Sequence, residues 1–187
     1  AMVMERLMSG STQLLEREER MREKLASYIG EDGLYWVPAD ANKPWLGPVE
    51  IHPLANVHGQ GRMMRAMMEL YQYTGDPIWK ERVDRMVGGL DKIVVHKDNY
   101  AYFPVYGHIP QEYFRSCYTK QGWKDTVEPT NEKFGEEGSL FNHQGHIPGV
   151  LANWYLLTGN EQALRLSGEL VRFFTKPQFW ADWKGGE

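Results

Sequence analysis

The chain has 187 residues, enough for a single domain over residues 1–187, with 21 basic against 25 acidic residues and a formal net charge of −4. No basic stripe favours nucleic acid, and no apolar run approaches the ~18 residues of a membrane span. Cys117 is the only cysteine, so an intrachain disulfide and a multi-cysteine metal site are excluded, and no metal or other cofactor is predicted. No leader is recognisable, because Glu5 and Arg6 interrupt the start, and both a cytoplasmic and a secreted location stay open.

The first helix is predicted over residues 2–29. Apolar side chains recur there every seven residues, at Leu7, Leu14, Met21 and Tyr28. The run Ser9-Gly10-Ser11-Thr12 is a weak point that leaves a second helix start open. Gly30 ends the helix, and the turn signal Asp32-Gly33 with four prolines excludes a helix from 31 to 53.

Four further helices are predicted in two pairs. The second runs from about 56 to 73, and the third runs to about 95 with Asp76 as N-cap and Pro77 at the first helical position. An irregular stretch at 97–140 precedes the fourth helix, from about 142 to 157, and the fifth, which ends near 175. One group of side chains is assigned to helix packing alone: Met63, Met64, Met67 and Met68.

The two helix pairs repeat. Thr158-Gly159 follows Thr74-Gly75 by 84 residues, and the same offset aligns Gln60-Gly61 with Gln144-Gly145 without a gap. A second echo supports the repeat, since residues 32–38 and 98–104 both follow a helix and alternate like a short strand. An α-hairpin repeat is therefore predicted.

This topology predicts two different ends. The tight turns at Thr74-Gly75 and Thr158-Gly159 should share one end, and the long connections 30–55 and 97–141 should share the other. Those connections hold most of the proline, glycine, tryptophan and tyrosine. Long loops on a rigid helical scaffold are where binding sites usually lie, so the loop end is the predicted working surface.

Residues 58–62 (HGQGR) leading into 71–76 (YQYTGD), and residues 142–146 (NHQGH) leading into 156–160 (LLTGN), resemble the hairpins of six-hairpin glycosidases. The closest similarity is to β-L-arabinofuranosidase-type glycoside hydrolases, over roughly residues 56–175. The resemblance implies an all-α fold of (α/α)6-toroid type, a sugar substrate, and acid/base or covalent hydrolysis.

The chain departs from that family in two respects. Such a toroid needs about twelve helices, and five are predicted, so the expectation is an incomplete, half toroid. The family uses a cysteine nucleophile beside a zinc held by cysteines and a glutamate, which Cys117 alone cannot supply. The resemblance therefore carries over the scaffold and the substrate class, without the catalytic residues.

The catalytic candidates lie in the second long loop. Sugar hydrolysis needs one carboxylic acid to protonate the leaving oxygen and a second carboxylate as base or nucleophile. Glu137 and Glu136 lie in the loop just before the predicted start of the fourth helix, and His143 at that start is a candidate general base. The second carboxylate could be Asp125, Glu128 or a group outside this chain. The alternative is that Glu136 and Glu137 are solvated charges near a helix start.

The predicted substrate-binding residues are His58, Arg62, His146, Trp36 and Trp45. Arg62 and His146 occupy the same position of the two repeats, so both helix starts present polar side chains to the loop end. Aromatic faces such as Trp36 and Trp45 can cover the C–H faces of sugar rings. Two alternatives stay open: the histidines cap or pack, and the loop aromatics seal the end of the core.

Three functions remain after these steps. The first is glycoside hydrolysis of an oligo- or polysaccharide. The second is a polysaccharide lyase on the same scaffold, with Asn142, His143, Arg115 and Tyr118 as its residues. The third is a non-catalytic helical-repeat module for binding or assembly. Because half a toroid exposes apolar faces, self-association or contact with another domain is also predicted.

Overall fold

Five helices form the scaffold of the part of the chain that the structure describes. The computed structural model describes Arg6 and residues 8–37, 53–103, 117–120, 122–123 and 144–177. The helices with both ends in these ranges are α1 (Leu15–Ala26), α2 (Val57–Thr74), α3 (Pro77–Ile93), α4 (His146–Thr158) and α5 (Glu161–Phe174). None of these helices combines the length and the apolarity that a membrane span needs. The chain is therefore mainly helical where it is described, as predicted.

Two pairs of short strands accompany the helices. β1 (Leu54–Asn56) pairs antiparallel with β4 (Cys117–Thr119), directly before α2 begins. β2 (Val95–His96) pairs antiparallel with β3 (Ala101–Tyr102), directly after α3 ends. Ile29 and Tyr35 form an equivalent antiparallel bridge after α1. The two similar sequence segments, 32–38 and 98–104, thus each belong to a short antiparallel pairing, one after α1 and the other after α3.

The two tight turns are nearly identical. Gly75 and Gly159 both have a positive φ, of 68° and 73°, and each amide donates to the carbonyl of the tyrosine four residues earlier. The hydroxyls of Thr74 and Thr158 each donate to the carbonyl four residues earlier at 2.7 Å. These shared contacts explain why Thr-Gly recurs at this position.

The next helix begins at once after each turn. Asp76 caps α3 by accepting from the amide of Ile78, and Asn160 caps α5 by accepting from the amide of Ala163. Pro77 stands at the start of α3, where its missing N–H costs nothing. The predicted N-cap and proline positions of the third helix are therefore confirmed.

The two α-hairpins lie side by side, with α2 parallel to α4. Gly61 near the start of α2 faces His146 and Ile147 at the start of α4. Farther along, Gln72 of α2 and Leu156 of α4 line the same groove. The turns at Gly75 and Gly159 therefore lie at one end, as the repeat predicted.

A single core lies between the two hairpins. Trp154 is fully buried, and its ring packs against Tyr71 at a centroid distance of 5.8 Å. Three of the four methionines of α2 are buried, which confirms their assignment to helix packing. The core side chains of these helices include Met64, Met67, Met68, Val83, Met86, Leu90, Ile147, Leu151, Leu166 and Leu170.

The N-terminal helix differs from the prediction. Gly10 and Leu14 both have φ of 65°, so the chain breaks between the helical residues near Arg6 and the start of α1 at Leu15. The weak point in the sequence is this break. The predicted apolar stripe is not buried, since Leu14 and Met21 are 54% and 50% exposed, whereas Glu18 is buried in an ion pair with Arg6.

Candidate functional site

Four predicted site residues lie within the described parts of the chain: Trp36, His58, Arg62 and His146. Glu136, Glu137, His143 and Trp45 lie outside the described residues, and so do the second-carboxylate candidates Asp125 and Glu128 and the lyase candidates Arg115 and Asn142. Three of the four described residues, His58, Arg62 and His146, lie at the starts of α2 and α4.

Gly61 allows the starts of α2 and α4 to approach closely. A Cβ at this position would lie 3.1 Å from the Cβ of His146 and 3.3 Å from Cγ1 of Ile147. Such distances are shorter than ordinary van der Waals contact, so a side chain here would force the helices apart. The close approach of the two helices therefore explains the glycine of the first Gln-Gly pair, Gly61.

His58 and His146 touch across this junction. Their ring centroids are 5.0 Å apart with an interplanar angle of 60°, an edge-to-face contact. His58 is half-buried in the first turn of α2, and His146 is exposed at the first residue of α4. The structure thus brings together two residues that are 88 positions apart in the sequence.

A groove of about 400 Å³ runs between α2 and α4 from this junction. Its polar lining comes from both helices: Arg62, Arg65, Glu69, His146 and Asn153. Arg65 Nε lies 3.6 Å from Glu69 Oε1, one turn further along the helix. The groove therefore offers hydrogen-bond donors and acceptors along one wall of each hairpin.

Arg65, Glu69 and Asn153 were not among the predicted site residues, although a signal for them exists. Arg62, Arg65 and Glu69 follow helical spacing on one face of α2. The 84-residue offset aligns Glu69 with Asn153, as it aligns Arg62 with His146. Applying the repeat to the whole helix face, rather than to its start, would have identified the groove.

Trp36 does not line this groove. Its side chain is only 7% exposed and its indole Nε1 donates to Asp32 Oδ2 at 3.0 Å. Lys120 Nζ covers one face at 3.5 Å from the ring centroid, and the Tyr118 ring lies 6.2 Å away. Trp36 therefore packs in the core, the alternative that the sequence left open, and Tyr118 is part of the same packing.

Asp32 is the acceptor that holds this corner together. Burial raises the pKa of the Asp32 carboxyl, but hydrogen bonds from Trp36, the Leu34 amide and Lys120 outweigh burial and leave that pKa below its ordinary value. Asp32 is thus an ionised structural acceptor rather than a general acid.

A second polar cluster joins α3 to α5. His96 Nδ1 lies 2.9 Å from Glu169 Oε2, and its Nε2 lies 3.1 Å from the carbonyl oxygen of Asp91. Arg165 donates to Asp91 Oδ2 at 2.6 Å and to Glu169 Oε1 at 3.1 Å. Because both ring nitrogens of His96 already have partners, this cluster is a link between hairpins.

No set of three or more histidine, cysteine, aspartate or glutamate side chains in the described ranges is arranged to hold a metal ion. Comparison of the chain with protein-family models, with curated proteins and with solved structures gave no match. The side chains of the α2–α4 groove are therefore what supports a function.

Proposed function

We propose that this chain is a carbohydrate-active α-hairpin domain that binds an oligo- or polysaccharide in the α2–α4 groove and hydrolyses it at the loop end. One observation carries the proposal: His58, Arg62 and His146, three residues expected to bind sugar, meet where two parallel helices begin. The parallel, adjacent α2 and α4 also support a partial (α/α) toroid in which these two are inner helices.

The groove has the chemistry that sugar hydroxyls need. Imidazole, guanidinium and amide groups of His146, Arg62 and Asn153 supply directional donors and acceptors. Small-molecule sites of this kind are concave, about 300–1,000 Å³ in volume, and orient the ligand with a few polar groups. The groove falls within that range at about 400 Å³.

Hydrolysis needs carboxyl groups that these helices do not offer. Among the described residues that line the groove, Glu69 is the one acid, and it is paired with Arg65. The proposed general acid is Glu137, with Glu136 and His143 beside it in sequence. The seven residues from Glu137 to Gln144 span at most about 25 Å, so Glu137 is within reach of the groove wall at Gly145.

The catalytic proposal is tested with a Glu137→Gln variant on a panel of aryl glycosides. We expect the parent to release the aryl group, and the variant to lose about 100-fold or more in rate with its unfolding midpoint unchanged. Glu161→Gln, at the exposed start of α5 beside the turn end, is the matched control and should keep parental activity. An inactive parent on every glycoside contradicts hydrolysis, and an unsaturated product favours the lyase.

A second function, a helical-repeat assembly module, is supported by a different observation. The first hairpin (α2 and α3) packs against the second hairpin (α4 and α5) through one of its surfaces. The equivalent surface of the second hairpin, 84 residues later in sequence, is exposed. Val87 is fully buried, whereas its equivalent Val171 is 44% exposed. A further hairpin would cover the Val171 side chain.

Self-association through this surface is tested by sedimentation velocity over a range of concentrations. We expect the parent to form concentration-dependent oligomers, and the Val171→Glu variant to remain monomeric because a charge opposes burial. Met8→Glu makes the same kind of change at a side chain 84% exposed outside this surface, and should leave association unchanged. A parent that stays monomeric at every concentration rejects the assembly module.

A further inference from the structure

We infer that the ligand of the α2–α4 groove is an acidic sugar, one whose carboxylate is bound by Arg62. This inference rests on the proposed function and adds the charge of the substrate to it. Of the described residues that line the groove, three are cationic or basic, namely Arg62, Arg65 and His146, and one is acidic, Glu69.

The ion pair between Arg65 and Glu69 leaves Arg62 as the one unpaired charge of the described groove lining. Glu69 lies 3.6 Å from Arg65 on the same helix, so these two charges largely offset each other. Arg62 lies about two helical turns before Glu69, is exposed, and has no hydrogen bond or ion pair with another described residue. The unmatched charge of the described lining is therefore a guanidinium.

The surroundings of Arg62 favour an anion further. The first turns of α2 and α4 contain no acidic residue and neither helix has an acidic N-cap, whereas α3 is capped by Asp76 and the first turns of α5 and α1 contain acidic residues. Positive ends of helices are ordinarily balanced by such acids. The first turns of α2 and α4 instead contain His58 and His146, and Arg62 follows His58 by one turn, so an anion bound there would meet no carboxylate from either first turn.

A carboxylate suits this site better than a neutral hydroxyl. The planar guanidinium of arginine matches a carboxylate with two parallel hydrogen bonds, and charge-assisted bonds of this kind are about twice as strong as neutral ones. His146, in contact with the same groove, can donate a further hydrogen bond to the sugar. A uronic acid combines the ring hydroxyls and the carboxylate that these groups would bind.

The test is isothermal titration calorimetry of the 187-residue chain with a trisaccharide of galacturonic acid and with its fully methyl-esterified form, which keeps the ring hydroxyls but carries no charge. We expect the acid to bind about tenfold more tightly or better, with an affinity that falls as salt is added. An Arg62→Gln variant should bind the acid about tenfold more weakly, and this loss should exceed the loss in binding of the ester, which has no carboxylate to pair with Arg62.

Arg20→Gln is the matched control, because Arg20 is exposed on α1 and loses the same charge away from the groove. Equal binding of acid and ester would overturn the inference while leaving a sugar-binding groove intact. Equal losses in the Arg62 and Arg20 variants would also overturn it, since the effect would then be one of net charge. Binding of neither ligand, nor of any neutral oligosaccharide, would contradict the proposed function itself.

Discussion

Gln60 shows how a single side chain can replace a missing strand. Its Oε1 accepts from the Tyr35 amide at 2.7 Å and its Nε2 donates to the Tyr35 carbonyl at 2.6 Å, with the side chain fully buried. Gln144, its repeat equivalent, donates to the carbonyl of Phe103 at 3.0 Å and is also fully buried. The glutamine of each α-hairpin thus binds the backbone of the segment before that hairpin, which follows α1 for Gln60 and α3 for Gln144.

Replacing Gln60 by alanine should reduce the free energy of unfolding by about 2–4 kcal/mol, because two hydrogen bonds to a half-buried backbone are lost and their partners are left unsatisfied. Urea unfolding followed by circular dichroism measures the change. Gln72→Ala, on the exposed side of the same helix, is the control and should change stability by less than about 0.5 kcal/mol. Equal effects of the two substitutions would disprove the role assigned to Gln60.

The sequence predicts that the Gln-Gly pair recurs, but it does not reveal what the glutamine binds. Gln60 and its partner Tyr35 are 25 residues apart, and nothing in local periodicity specifies a contact across an irregular loop. The same reason explains Trp36, whose aromatic ring suits a sugar or a core equally well. Its burial depends on Lys120 and Tyr118, which arrive from a distant strand.

Among the elements, the hairpin around Gly33 is fixed to α3 by two glycines. Gly33 has φ of 80°, and a Cβ there would lie 2.3 Å from the carbonyl oxygen of Arg85. A Cβ on Gly89, one turn later in α3, would lie 2.4 Å from the carbonyl oxygen of Asp32. The two backbones therefore pack in direct contact, which only glycine at both positions permits.

The neighbouring glycines of α3 provide a matched test of this contact. Gly89→Ala should destabilise the fold by about 3 kcal/mol, because the added methyl group meets backbone that cannot move aside. Gly88→Ala, whose Cβ would meet nothing within 4 Å, should stabilise it by about 0.5–1 kcal/mol through helix propensity. Thermal unfolding of both variants measures this, and a Gly89 variant as stable as the parent would refute the close packing.

Helix ends were predictable and helix partners were not. Caps and turns are local, so Asp76, Pro77 and the Thr-Gly turns predicted the ends of α2 and α4 and the starts of α3 and α5 to within a few residues. In α1, by contrast, the regular apolar spacing that predicted the helix includes Leu14 and Met21, and both side chains are exposed. Periodicity specifies that a face is apolar, but burial of that face requires a partner elsewhere in the molecule.

For the whole molecule, the two α-hairpins act as one body because Asp84 joins them. Its Oδ1 accepts from Trp154 Nε1 at 2.9 Å and from Asn160 Nδ2 at 2.7 Å, both in the second hairpin. Its Oδ2 lies 2.6 Å from Lys80 Nζ on its own helix. The repeat in the sequence predicted two hairpins, but this joint is unique to the boundary between them, since the residue 84 positions after Asp84 is Gly168.

Acid should loosen this joint. Burial raises the pKa of Asp84, but hydrogen bonds from Lys80, Trp154 and Asn160 outweigh burial, so the pKa in the folded chain is below its ordinary value. The unfolded chain therefore takes up the proton first as pH falls. The stability that Asp84 contributes is fully present above about pH 4 and is lost as pH falls through the lower folded pKa.

An Asp84→Asn variant isolates this contribution from that of the other carboxyls. We expect it to unfold about 1–2 kcal/mol more easily at neutral pH, since charge-assisted hydrogen bonds become neutral ones. We also expect its stability to decline less steeply than the parent's below about pH 4, because one titrating group is gone. Asp98→Asn, at an exposed turn residue, should keep the parental slope.

Hydrogen exchange in the Asp84 variant should rise in α4 and α5 as well as in α3, because the joint spans both hairpins. A slope identical to the parent's, or faster exchange confined to α3, would show that Asp84 does not couple the two hairpins.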